Sequence, residues 1–146
     1  DRHSQMQVLE VREILELAMF EKAALNADSD DIDAMEKIYE QMEKNLGEKT
    51  GYGNLDLKLH MQIAKATHND IFPILVHTLY ESSGQRIVLM EDIFPESMRS
   101  IHRDHLGIIE AIKRRDVKGV RKVGKRHFDV DRYMLLSMNG LEENSK

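Results

Sequence analysis

The chain has 146 residues, a common size for a single domain with one hydrophobic core. Its 21 basic and 26 acidic side chains give a net charge of -5, which argues against a nucleic-acid-binding surface on this domain alone. Because cysteine is absent, disulfides and thiolate zinc sites are excluded, and a metal site would need nitrogen and oxygen ligands. The sequence shows no signal peptide and no apolar run of about 18 residues, so we expect a cytoplasmic protein with no membrane partner.

Residues that favour helices dominate the sequence, and alternating strand patterns are nearly missing, so we predict an all-α fold. Ser29 or Asp30, Asp70 and Asp116 are the predicted N-caps. Short connections favour antiparallel neighbours within one domain that spans residues 1–146. The predicted helices cover residues 4–26, 30–46, 53–68, 70–92, 95–114 and 117–138.

In the first predicted helix, an arginine falls on the inward face. This face carries Val8, Arg12, Leu15 and Met19, opposite a polar side. Arg12 either pairs with Glu16, one turn along the helix, or grips a carboxylate or phosphate by bidentate hydrogen bonds. The sequence leaves both interpretations open.

The third predicted helix places an acid and a histidine on its inward side. Polar residues mark the outer side, so the inner side carries Asp56, His60, Ile63, Ala64 and Thr67. Because Asp56 and His60 are four residues apart, both can reach one ion from the same helix.

The fourth predicted helix combines an apolar face with small polar groups and a second arginine. This face is predicted to carry Ile71, Leu75, Leu79, Ser82, Arg86 and Leu89. Arg86 therefore points inward beside Thr78 and Ser82, and this polar stretch could line a cavity. The alternative is that Arg86 extends its charge to the rim of the bundle. The ligand-binding residues predicted from the first and fourth helices are Arg12, Arg86, Ser82 and Thr78.

The fifth and sixth predicted helices each carry one histidine within an apolar stripe. His105 lies in the stripe of the fifth helix, and His102 falls to one side of it. His127 lies in the stripe of the sixth helix, where Gly119 and Gly124 lower the intrinsic helicity by roughly 1 kcal/mol each relative to alanine. The two stripes are Met98, Ile101, His105, Ile108, Ile112 and Val120, Val123, His127, Val130, Met134.

Together, these inward residues predict a metal site of Asp56, His60, His105 and His127. One inward histidine is typical of a core residue with an ordinary hydrogen-bond partner, but several with a carboxylate are costly to bury without a shared cation. This donor set suits one divalent ion, with Zn²⁺ or Ni²⁺ placed first and Mn²⁺, Co²⁺ or Fe²⁺ as alternatives. Four ligands close a tetrahedral site, whereas an octahedral ion keeps two positions open. The other histidines, interpreted as structural or solvated, are His3, His68 and His77.

Several segments resemble the FCD effector domain of the FadR branch of GntR-type bacterial transcription regulators. The resemblance rests on Asp56-xxx-His60, on the segments AKATHND and DHLGIIEAIKRRD, on His127 and on VLEVREILE around Arg12. It covers about residues 6–137. It implies an antiparallel bundle of six to seven helices, the same four metal ligands with His105 chosen over His102, and an effector carboxylate bound at the metal.

Our leading functional hypothesis is a ligand-sensing regulatory domain that is not an enzyme. A small carboxylic acid would bind at the metal and bias the conformation of a homodimer. Members of this family read DNA through an N-terminal winged helix-turn-helix domain, which is missing from this sequence. The sequence is therefore either an excised domain, which we favour, or a natural stand-alone sensor. One alternative is a metal-dependent hydrolase with a metal-activated water and Glu16 or Asp104 as the general base. Another is a purely structural metal within an interaction module.

Overall fold

The structure is a computed structural model that describes residues 2–47, 51–83 and 93–143. Within these ranges the chain forms helices and no strand, which confirms the all-α prediction. The predicted fourth helix extends to residue 92, and its part beyond Ser83, including Arg86, lies outside the described residues. The helices are α1 (Arg2–Asn26), α2 (Ser29–Lys44), α3 (Tyr52–Lys65), α4 (Ile71–Ser83), α5 (Pro95–Lys113) and α6 (Val117–Glu143).

The helix starts confirm one of the predicted N-caps and correct the others. The Asp116 side chain accepts a hydrogen bond of 2.8 Å from the Gly119 N–H in the first turn of α6, as predicted. At α2 the cap is Asp28 rather than Ser29 or Asp30, because Asp28 has the extended backbone of a cap and exchanges hydrogen bonds with Asp31. At α4 the Ile71 N–H donates to the Asn69 side chain at 3.1 Å, so Asn69 takes the role predicted for Asp70.

Helix α6 packs against both α1 and α5, and a glycine lets it approach α1 closely. A Cβ atom at Gly124 would lie 2.8 Å from the Phe20 ring and 2.9 Å from the Leu17 side chain. This close approach explains why position 124 is a glycine, although glycine weakens an isolated helix. It also brings the following turn of α6, which carries His127, against the core.

The face predicted for α4 is wrong. Ile71 and Leu75 are 58% and 43% exposed, whereas Val76 is fully buried and Tyr80 contacts the interior. Because α4 is apolar on several sides, its periodicity does not single out the inward face. Aliphatic side chains are exposed on this face of α4 and also on α1: Ile71, Ile74, Leu75, Val11 and Ile14.

Among the described residues, none of the helices combines the length and the apolar character needed to cross a bilayer.

Candidate metal and effector site

Three buried histidines from three different helices converge in the core, and we call them the histidine cluster: His60 of α3, His105 of α5 and His127 of α6. Each offers a ring nitrogen within 4.8 Å of those of the other two. The Nε2 atoms of His60 and His105 are 3.4 Å apart. Two nitrogens bound to one tetrahedral zinc ion at the usual bond length lie about 3.4 Å apart. This part of the cluster therefore already has the spacing of a metal site.

Asp56 completes the set of four side chains that the sequence singled out. Its Oδ1 atom lies 3.0 Å from Nε2 of His105 and 3.7 Å from Nε2 of His60. The side chain is buried, one helical turn before His60 on α3. The fold thus brings three predicted ligands together and places the fourth, Asp56, beside two of them, and the binding of a metal by these side chains remains a prediction.

The buried ligand candidates differ in protonation. Burial disfavours the charged form of His60, but Glu16 and Asp56 outweigh it and raise the pKa of this ring, so a metal ion would displace a proton there. Burial, followed by the positive charges of His105 and His60, lowers the pKa of His127 well below its usual value, so the ring is neutral at pH 7. Its Nδ1 atom is buried without a hydrogen-bond partner in the described part of the chain. Burial disfavours ionised Asp56, but nearby His60 and His105 outweigh it and lower the pKa of this carboxyl group. Neutral imidazole and ionised carboxylate are the forms that bind metal.

Glu16 of α1 holds the outer side of His60. Its Oε2 atom makes a short hydrogen bond with His60 Nδ1, and both side chains are fully buried. Because an ionised carboxylate only accepts, the proton lies on Nδ1, and Nε2 is left to face Asp56 and the other histidines. A carboxylate behind a histidine is the usual outer partner of a metal-bound imidazole. From the sequence, Glu16 is predicted only as a partner of Arg12 or as a general base, and its contact with His60 is missed. Its spacing of four residues from Arg12 and three from Met19 nevertheless indicates the inward face.

Arg12 lies directly behind this pair. Its Nε donates to Glu16 at 2.9 Å, one terminal nitrogen donates to the Tyr80 hydroxyl at 2.9 Å, and the other lies 3.5 Å from Asp131. The Tyr80 hydroxyl in turn donates to Asp56 Oδ2 at 3.1 Å. The pairing with Glu16 is therefore present, and binding of an effector by Arg12 stays a prediction.

These contacts form a continuous path of hydrogen bonds, which we call the outer network. It runs from Asp56 through Tyr80, Arg12 and Glu16 to His60. Both ends of the path are candidate metal ligands. Arg12 is therefore connected through hydrogen-bonded side chains to two of the four candidate metal ligands.

The other predicted ligand-binding residues do not join this group. Thr78 and Ser82 are exposed on α4, and their hydroxyls donate to backbone carbonyls one turn earlier, each at 2.9 Å. The cause is the rotation of α4, which turns the face of Ile71 and Leu75 towards solvent. Arg86 lies outside the described residues.

The remaining histidines divide into exposed and buried residues. His3, His68 and His77 are exposed, in agreement with the sequence interpretation, and His68 pairs with Asp31 at 2.8 Å. His102 is buried despite its position beside the apolar stripe of α5, and its Nδ1 atom lies 3.1 Å from the Tyr52 hydroxyl.

The two carboxylates proposed as general bases of a hydrolase are already engaged. Glu16 is held between Arg12 and His60. Asp104 is buried, and its Oδ1 atom accepts a hydrogen bond of 2.7 Å from Arg126 Nε. Among the described residues, both oxygens of Glu16 have partners and Asp104 makes no hydrogen bond to the histidine cluster, so these contacts give the hydrolase alternative no support.

Comparison with known proteins gives a family match and a set of structural neighbours. The model of the family described as FCD domain matches residues 7–130. The Uxu operon regulator of Haemophilus influenzae is 24% identical over 141 residues, which cover 94% of this chain and 53% of that protein. By its name, this relative is a regulator rather than an enzyme. This chain thus spans about half the length of the curated relative that it matches.

Two solved structures share the fold. Streptococcus agalactiae GntR has a TM-score of 0.76 at 20% identity, and the match covers 90% of this chain and 59% of that chain. Escherichia coli McbR/YncC has a TM-score of 0.78 at 17% identity, with 91% and 64% covered. At these identities the two neighbours establish the helical fold alone.

Proposed function

Because this chain belongs to the FCD domain family, we propose that it is the effector-binding domain of a cytoplasmic GntR-family transcription regulator. In this proposal it holds one divalent metal, binds a small carboxylic acid beside it and passes the signal to a DNA-binding domain elsewhere in the full-length protein. The name of the Haemophilus influenzae relative supports the regulatory role. DNA binding is assigned to the portion of such regulators that lies beyond this domain.

One observation carries the proposal: the histidine cluster and Asp56 meet in the core, and a buried arginine lies behind them. When bound, the metal supplies positive charge and, if it is octahedral, two coordination positions for an acid. Asp56 and the three histidines fix the ion, and Glu16 holds the His60 ring in the ligating orientation.

Arg12 supplies the second contact of the effector in this proposal. Its longest polar contact is the one of 3.5 Å to Asp131 of α6, and an effector carboxylate replaces Asp131 as the partner of that nitrogen. Arg12 belongs to α1 and Asp131 to α6, two helices that pack extensively on each other. Replacing the contact changes how these helices are held, and a ligand that favours one arrangement shifts the population towards it.

We also propose that the domain is a homodimer that uses exposed faces of α1 and α4. These packed helices expose Val11, Ile14, Ile71, Ile74 and Leu75, which is unfavourable in a monomer when the side chains form one patch. Light scattering gives the mass of the chain in solution, and a monomer at all concentrations contradicts the dimer.

Calorimetric titration tests the binding function. Protein loaded with Zn²⁺ or Ni²⁺ is titrated with lactate, gluconate, citrate and related acids, and we expect at least one to bind. Binding should disappear after chelation and in His105→Ala, whereas the matched control His77→Ala, an exposed histidine, should bind like the wild type. Equal binding of an acid by metal-free and metal-loaded protein contradicts the role of the metal.

A further inference from the structure

The outer side of His105 is held differently from that of His60. The Tyr52 hydroxyl lies 3.4 Å from His105 Nδ1 and 3.1 Å from His102 Nδ1, so one phenol bridges two imidazoles. All three side chains are buried. Tyr39 stacks on the other face of this arrangement, with its ring centroid 4.5 Å from that of His102 and an interplanar angle of 11°. No carboxylate is needed behind His105, because the Tyr52 hydroxyl can both donate and accept a hydrogen bond.

The Tyr52 hydroxyl has a single proton, so it can donate a hydrogen bond to only one of the two imidazoles. His105 Nε2 points towards Asp56 and His60, so a metal-bound His105 uses Nε2 and carries its proton on Nδ1. That proton is donated to the Tyr52 oxygen. The Tyr52 hydroxyl then donates its own proton to His102 Nδ1, which must be the unprotonated nitrogen of His102.

We propose that Tyr52 is a positioning residue for His105, and that His102 fixes the direction of the Tyr52 proton by accepting it. The inference rests on the proposed metal site. It gives the buried His102 a role, although this residue lies outside the predicted ligand set. Tyr52 begins α3 and His102 belongs to α5, so the bridge also ties together the helices that carry His60 and His105.

The environment of His102 supports this direction of the hydrogen bonds. Its Nε2 atom is buried without a partner among the described residues, so its hydrogen bond with Tyr52 is the contact that selects its tautomer. Leaving one nitrogen of a buried imidazole unpaired is unfavourable. An apolar residue would fill the space without that penalty, whereas the Nδ1 contact with Tyr52 is a polar interaction that only a side chain such as histidine can make.

Two matched substitutions test the role of the phenol. Tyr52→Phe removes the bridging hydroxyl and keeps the ring, whereas Tyr39→Phe removes a hydroxyl from the ring that stacks on His102. Competition with a chelator should show a Zn²⁺ affinity about 10- to 100-fold weaker in Tyr52→Phe and unchanged in Tyr39→Phe. The visible absorption of the Co²⁺-loaded protein should change only in Tyr52→Phe, since it reports the geometry around the ion.

Nitrogen-15 NMR of the Zn²⁺-loaded wild type keeps the test independent of how the variants fold. We expect His105 protonated on Nδ1, and His102 protonated on Nε2 with Nδ1 free. A His102 protonated on Nδ1 overturns the inference, and so does Tyr52→Phe with wild-type affinity and spectrum. Failure of the wild type to bind Zn²⁺, Ni²⁺ or Co²⁺ overturns the metal site itself and the inference with it, so the two failures are distinguishable.

Discussion

Two places in the described part of the chain bring three side chains of metal-binding type within 4.8 Å of one another. One is the histidine cluster in the core. The other, which we call the surface group, consists of Asp28, Asp31 and His68 at the junctions before α2 and after α3. By ligand type and spacing both qualify as metal sites, but they differ in what the remaining polar atoms contact.

In the surface group the acids already have partners in the fold. Asp28 and Asp31 form the capping box of α2, and His68 pairs with Asp31. Water can satisfy the remaining atoms, because His68 and Asp28 are exposed. A metal ion there would compete with the helix cap and with solvent, which disfavours binding.

In the histidine cluster the partners lie on the outer side of the rings. Glu16 holds His60 and Tyr52 holds His105, while the Nε2 atoms of both rings point towards Asp56. Water is excluded by burial, so the inner atoms depend on one another or on an ion. The partners behind the side chains, more than the distances between them, therefore distinguish the candidate metal site in the core from the polar surface group.

The largest expected effect on Zn²⁺ affinity comes from removing one histidine, and it distinguishes the histidine cluster from the surface group. His127→Ala removes one of the four candidate ligands from the core, and we expect the Zn²⁺ affinity to fall by more than the roughly 100-fold loss typical of outer partners. His68→Ala removes the corresponding residue of the surface group and should leave the affinity unchanged. Competition with a chelator measures both, and circular dichroism checks the fold of each variant. A comparable loss of Zn²⁺ affinity in both variants would contradict the distinction between the histidine cluster and the surface group.

A smaller effect is expected from a residue that touches no metal. Glu16→Gln keeps the size of the side chain and removes the charge behind His60, so we expect Zn²⁺ to bind about 10- to 100-fold more weakly. Glu13→Gln on the same helix is the matched control, because Glu13 pairs with Arg132 and Lys125 away from the cluster. Equal affinities of the two variants would show that the carboxylate behind His60 does not tune the site.

Helical periodicity was sufficient to predict the four candidate ligands. Asp56, His60, His105 and His127 each share a face with apolar residues, and the structure buries all four. Their helices have enough polar residues on the outer side for a spacing of three and four to locate the inward side. Most helix bounds also agreed with the sequence to within about three residues, as expected for strongly amphipathic segments.

Helical periodicity does not predict the inward face of a helix that is apolar on several sides, nor the contacts between helices. Helix α4 is apolar on several sides, so its inward face was assigned to Ile71 and Leu75 instead of Val76 and Tyr80. Glu16 was not recognised as an outer partner of His60, because its contact lies 44 residues away on another helix. Contacts between helices follow from how the helices are rotated and packed, which the spacing within one helix does not specify.

The smallest expected effect concerns the surface group and tests its role as a helix cap. A hydrogen bond from the Asp31 backbone N–H, together with weaker contributions that include the charge of His68, lowers the pKa of Asp28 below its usual 3.8. Ionised Asp28 therefore stabilises the fold above that pH, and the stabilisation is lost as the pH falls through the lower pKa of the folded state. Asp28→Asn keeps an N-cap acceptor but removes the charge at the helix N-terminus.

We therefore expect Asp28→Asn to lower Tm slightly at pH 7 and to have a diminishing effect below about pH 4. Thermal melts of both proteins across this range measure the difference. The same melts in a His127→Ala background, with and without Zn²⁺, separate a cap from a metal ligand. With the core site disabled, Zn²⁺ should leave the difference unchanged, because Asp28 acts through the backbone of α2. A difference that grows with added Zn²⁺ would make the surface group a metal site and remove the contrast with the histidine cluster.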